Sequence, residues 1–154
     1  MKIKLAIFLL LFSGCASRQF TVTLFRSGGA SSITESYSVN QDGVGTKLAK
    51  APLGMIVSAD SASKQWTNSV DPKLLLELRG LMTDSLQSLS KIESHDTIGT
   101  TVHLGELTSG ITIDAEKMHK EITWANIDPP RMDVPAFDSL YIIMLHVESN
   151  MISP

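Results

Sequence analysis

Apolar and polar residues begin to alternate at Phe20: Phe20, Val22 and Leu24 fall on one side and Thr21 and Thr23 on the other, the two-residue period of a half-buried strand. Arg26-Ser27-Gly28-Gly29 ends the run with glycines that allow a tight reversal. Ile33, Glu35, Tyr37 and Val39 then alternate with Thr34, Ser36 and Ser38, and Asn40-Gln41-Asp42-Gly43 is a strong turn before Val44, Thr46 and Leu48. These spacings predict three antiparallel strands. Between Ala51 and Val70 the pattern fades, with Pro52, Gly54 and several serines around Ile56, Val57 and Trp66, and a loop holding no more than one short strand is expected. Asp71-Pro72 is a helix start, a capping carboxylate followed by a proline in the first turn. Leu74, Leu78, Leu81, Met82, Leu86 and Leu89 recur at helical spacing up to about Lys91, with Gly80 inside, which predicts one long central helix packing its leucines on the sheet. Alternation returns at Ile98, Thr100, Val102 and Leu104, at Ile111 and Ile113 after Ser109-Gly110, and at Lys120, Ile122 and Trp124. Asp128-Pro129-Pro130 breaks the chain, and a last helix is expected from Asp133-Val134-Pro135, with Phe137, Leu140, Tyr141, Met144 and Leu145 on one face. The order predicts a single α+β domain over residues 20–150: an antiparallel sheet with one long central helix and a C-terminal helix on one face.

The first fifteen residues follow another pattern. MKIKLAIFLLLFSGC has a basic start, an apolar run from Leu5 to Phe12, small residues, and the chain's single cysteine, Cys15. Eight apolar residues fall far short of the ~20 that span a bilayer as a helix, and a short apolar stretch behind a basic start is an export signal. Leu11-Phe12-Ser13-Gly14-Cys15 resembles the lipobox of bacterial lipoproteins. That resemblance implies a cleaved signal peptide at 1–14, a lipidated anchor and short linker at 15–19, diacylglycerol on the Cys15 sulfur and an acylated new amino terminus. Each buried methylene adds about 0.8 kcal/mol, so two or more acyl chains hold a protein firmly to membrane lipid. Ala16, in place of an aspartate, implies the outer membrane by the same resemblance, with the leaflet left open.

Composition narrows the function. The 154 residues are 43% apolar, 19% charged and 6% aromatic, enough for one core without disulfides. The net charge of −3 becomes −5 once residues 1–14 are removed, because they contain Lys2 and Lys4 and no acid, leaving 11 basic against 16 acidic residues. No basic surface is offered to nucleic acid. The candidate chemistry is sparse: there is no Gly-x-Ser-x-Gly elbow, no phosphate loop and no His-Glu-x-x-His pair, and the four histidines, His95, His103, His119 and His146, are scattered. His95-Asp96 falls in the loop after the first helix, and His119 and Glu121 share a strand face opposite Ile122 and Trp124. Each pair would need a further ligand to hold a metal. Trp124 is expected in the core and Trp66 as packing in a loop. No cofactor, metal site or catalytic set is expected, and a hydrolase would need His95, His103 or Glu106 to converge.

Phe25-Arg26-Ser27-Gly28-Gly29, at the end of a first strand, resembles the N-terminal motif of emfourin-like proteins, small bacterial inhibitors of thermolysin-type metallopeptidases such as protealysin. The layout of strands, leucine-rich helix, hairpin and C-terminal helix is similar too. The chain departs from that pattern after Gly29, with Ala30-Ser31-Ser32-Ile33, and in carrying a lipobox. The resemblance implies a non-enzymatic binding module in which Arg26, Ser27, Gly28 and Gly29 touch a protein partner or shape the loop that does. Two partners are compatible with an anchored module: a secreted peptidase, which it would inhibit, or an envelope protein, for which it would act as a structural or assembly lipoprotein.

Overall fold

The computed structural model describes residues 19–28, 33–50, 63–92, 107–116, 118–125, 128–129 and 132–151. Six strands form one antiparallel sheet: β1 (Phe20–Gly28), β2 (Ile33–Asn40), β3 (Val44–Lys50), β4 (Ser63–Ser69), β5 (Leu107–Ala115) and β6 (Met118–Ala125), side by side in the order β4-β3-β2-β1-β5-β6. The helices are α1 (Pro72–Asp84), α2 (Leu86–Ser90) and α3 (Pro135–Met151).

The pairing register decides which side of each strand meets the helices. Val22 stands between Val39 and Ile113, and Leu24 between Tyr37 and Ile111, with Ile122 beyond Ile111. These side chains are buried with Leu78 and Met82 of α1, Leu89 of α2, and Phe137, Leu140, Met144 and Val147 of α3. Trp124 closes one side of this core, its ring edge-on to Phe137 (5.9 Å) and Tyr141 (5.8 Å). The opposite side of the sheet carries rows of hydroxyls, such as Thr67, Thr46, Ser38, Thr23 and Thr112 across five strands. Threonine suits an extended backbone and its hydroxyl suits water, so this side needs no cover.

Three expectations are corrected. The long central helix is not present: α1 stops at Asp84, Ser85 leaves the helix with φ −120° and ψ 3° while donating its N–H to Leu81 O, and a five-residue α2 follows. Ser85 takes the inward position between Met82 and Leu89, where an unbroken stripe needs an apolar residue. Serine favours a local backbone bend over a helix interior, and the break still delivers Leu89 and Ile92 to the core. Secondly, the one short strand expected before Val70 is β4, seven residues at the end of the sheet order, and Trp66 lies within it and not in a loop. Thirdly, Ser109-Gly110 lies inside β5; Ser109 is buried, and the Phe25 ring lies over Gly110 so closely that a Cβ there would sit 2.4 Å from Cζ. The predicted strand Ile98–Leu104 lies outside the described residues.

β2 and β3 are joined by a turn built as its sequence requires. Asn40 Oδ1 accepts from the N–H groups of Asp42 and Val44, both at 3.0 Å, and Gly43 takes φ +80°. Because Val39 faces Gly45, the odd residues of β3 look toward the helices and Val44, Thr46 and Leu48 look away. Arg79 of α1 donates to Gln41 O from Nε (3.0 Å) and Nη2 (2.5 Å), tying the helix to this turn. Asp71 caps α1 by accepting from the Lys73 N–H at 2.7 Å, and α3 starts at Pro135 with Val134 O accepting from Phe137 N.

Candidate functional site

The two ends of the sheet are built differently. At the end where β1 begins, the connections are tight: residues 41–43 join β2 to β3, and residues 116–117 join β5 to β6. At the other end β1 runs out into residues 29–32, β3 into residues 51–62 and β6 into residues 126–134, and residues 93–106 lead into β5 there. A nine-residue strand separates these ends by about 30 Å. The Arg26–Gly29 motif sits at the end with the long connections.

Its described residues, Arg26, Ser27 and Gly28, point different ways. Arg26 continues the inward series of Phe20, Val22 and Leu24, and its guanidinium turns under α3, where Nη1 donates to Glu148 Oε1. Both side chains are largely buried, at 18% and 12% exposure. Arg26 Nε is buried without a hydrogen-bond partner. Burial works against the Arg26 charge, but the hydrogen bond and charge of Glu148 outweigh it and move its pKa upward. Ser27 points to the opposite side of the sheet, its Oγ 3.1 Å from Thr34 Oγ1 on β2. Gly28 ends β1 at φ 98°, in the left-handed region that favours glycine. Gly29 lies outside the described residues, as do Cys15, His95, Asp96, His103 and Glu106.

Around Arg26 the sheet gathers polar groups that the sequence reading did not single out. Tyr37, fully buried, donates its hydroxyl to Glu35 Oε2 at 3.2 Å. Burial and the charges of Glu35 and Glu148 push its pKa up. Tyr141 donates to Asp128 Oδ1 at 3.4 Å; burial and the Asp128 charge raise its pKa against the opposing pull of Arg26. Lys47 Nζ lies 4.0 Å from Glu35 Oε1, 5.3 Å from the Tyr37 ring centroid and 5.5 Å from that of Trp66. Trp66 itself is on β4, 45% exposed. A signal for part of this was present: Glu148 falls on the stripe of Tyr141 and Met144, and an acid there calls for a cation on the facing strand.

The tight-turn end holds the remaining histidine pair. His119 Nδ1 is 2.5 Å from Asp114 Oδ1 across β5 and β6, both exposed, and the hydrogen bond to Asp114 raises the imidazole pKa above 6.5. Glu121 lies on the same strand face. Among the described residues, no group of three or more His, Cys, Asp or Glu side chains is placed to hold a metal ion, and no helix is long and apolar enough to cross a membrane. No protein-family model matches the chain, and no match is found among curated proteins.

Proposed function

We propose that this chain is a bacterial envelope lipoprotein whose α+β body is a non-enzymatic binding module, anchored through acylated Cys15 and presenting its loop-bearing end to a protein partner. The observation that carries this reading is the polarity of the sheet. Residues 16–19 alone separate Cys15 from Phe20, a reach of at most ~18 Å, so the anchor would leave from the tight-turn end. The long connections would then stand about 30 Å farther out on a stiff platform, where binding loops are commonly carried. The Arg26–Glu148 pair assists by fixing the last inward side chain of β1 beneath α3, two residues before β1 ends. In this arrangement Arg26 positions the loop, while Ser27, Gly28 and Gly29 are the motif residues nearer a partner. The resemblance of that motif points to a secreted thermolysin-type metallopeptidase, held by occupancy of its cleft.

The test has two arms. Intact mass of the membrane-extracted protein should show loss of residues 1–14 and acyl addition, both abolished by Cys15→Ala. An excess of residues 19–154 should lower cleavage by a thermolysin-type peptidase; no effect across a panel of such enzymes removes the inhibitor reading and leaves a structural or assembly role. An unacylated, uncleaved parent removes the anchor.

A further inference from the structure

The outer edge of β4 is unpaired among the described residues, since the sheet order ends there. Strand edges in folded proteins are ordinarily blunted by proline, bulges or charge. β4 reads SKQWTNS, with no proline and one charge, and residues 64–69 are all exposed. Among the described residues, the helix layer approaches only the end of β4, where Asn68 and Ser69 share a small cavity with Val147, Asn150 and Met151 of α3, and the side chains of residues 64–69 stay exposed.

The register states which backbone groups are available. Val70 N–H donates to Gly43 O at 2.9 Å, and Val44 faces Ser69. Hydrogen-bonded pairs alternate along an antiparallel ladder, so Lys64, Trp66 and Asn68 direct their N–H and C=O groups to β3. Gln65, Thr67 and Ser69 direct theirs outward. On the helix side of the sheet, Lys64 and Trp66 stand over this edge, with Lys47 drawn against the Trp66 ring from the neighbouring strand. Lys64 and the exposed indole, with Lys47 held between that ring and Glu35, form a basic, aromatic strip on a chain whose net charge is −3.

We propose that β4 is a docking edge for an extended segment of a partner protein, which adds as a seventh strand and places alternate acidic and apolar side chains against Lys64 and Trp66. Backbone hydrogen bonds to Gln65, Thr67 and Ser69 supply the attachment, and the strip supplies the preference. A second copy of this chain is the other way to fill the edge. A two-fold-related copy pairs antiparallel, which puts its β1 start at the opposite end of the joined sheet. Two copies tethered through Cys15 cannot then both reach one leaflet. This choice of occupant rests on the anchored orientation proposed above; the edge itself does not.

The test is residue-resolved amide exchange on residues 19–154, alone and with excess of a capped peptide, Thr-Glu-Thr-Phe-Thr-Glu-Thr. In the free domain the Gln65, Thr67 and Ser69 amides should exchange faster than those of Lys64, Trp66 and Asn68. The peptide should slow the outward set at least tenfold and shift Trp66 fluorescence. A version with alternate amides N-methylated should do neither, and lysine in place of glutamate should weaken binding at least tenfold. Thr67→Pro, which removes an outward N–H and no ladder bond, should lose the response; Lys64→Glu, at an exposed position, should reverse the charge preference. Outward amides already protected in the free domain, equal binding of the N-methylated peptide, or concentration-dependent dimerisation lost in Thr67→Pro would each overturn the proposal. The acyl-mass measurement on Cys15 reports on the anchored orientation separately.

Discussion

At the scale of single residues, the Arg26–Glu148 pair is the most consequential contact in the structure. Two charges largely removed from water stabilise one another only while both are present, and deleting one leaves its partner buried and uncompensated. Glu148→Ala should therefore destabilise the domain by about 3 kcal/mol. The double replacement Arg26→Met with Glu148→Leu should recover most of that loss, because two apolar side chains remove the need for compensation. Urea unfolding of the two variants checks both statements; equal instability of the single and double variants would mean that packing, not charge, dominates the site. Tyr37 and Tyr141 belong to the same surroundings, each raised above its ordinary pKa first by burial. Folding therefore favours their protonated forms. Their contribution to stability is complete below pH ~10 and declines as pH rises through their folded values.

Among the elements, the β2–β3 turn and α1 depend on one another. Gly43 has φ +80°, and a Cβ there would lie 2.7 Å from Leu75 Cδ2 on α1. Gly43→Ala should cost about 1–2 kcal/mol from the left-handed backbone, and it should also loosen the Arg79 bonds to Gln41 O, visible as faster amide exchange at the start of α1. A change confined to the turn would show that the helix is held elsewhere. The same elements show what the sequence made legible. β1, β2 and β6 each have one buried side, and burial imposes the alternation that announces them. Residues 64–69 of β4 have no buried side and so show no period, and the strand conformation comes from pairing with β3, a long-range event invisible to a local pattern. The break at Ser85 was hidden for the opposite reason: the leucine stripe stays in phase across it, so periodicity runs straight through a bend in the backbone. Arg26 carried two signals at once, a loop motif and the inward phase of β1. The phase is the one its side chain follows, and Glu148 on α3 is the acid that meets it.

For the whole molecule, the direction of the sheet decides how an anchor and a partner would share it. The tight-turn end gathers Phe20, residues 41–43 and residues 116–117, together with the His119–Asp114 pair. The far end gathers the long connections and Gly28, which closes β1. Direction of this kind is read from the alternation of strands along the chain, yet it becomes meaningful only with the sheet order, which places β1 between β2 and β5 and so aligns all their ends. A tether at Cys15 and a partner at residues 29–32, 51–62 and 93–106 would lie on opposite sides of one rigid body. The measurement that tests this most directly is site-specific photo-crosslinking in native envelopes, with the reactive side chain placed either at Asp42, in the tight turn, or at Lys50, at the far end of β3. Lipid adducts are expected from Asp42 and protein adducts from Lys50. Protein adducts from Asp42 with lipid adducts from Lys50, or lipid adducts from neither, would contradict this orientation.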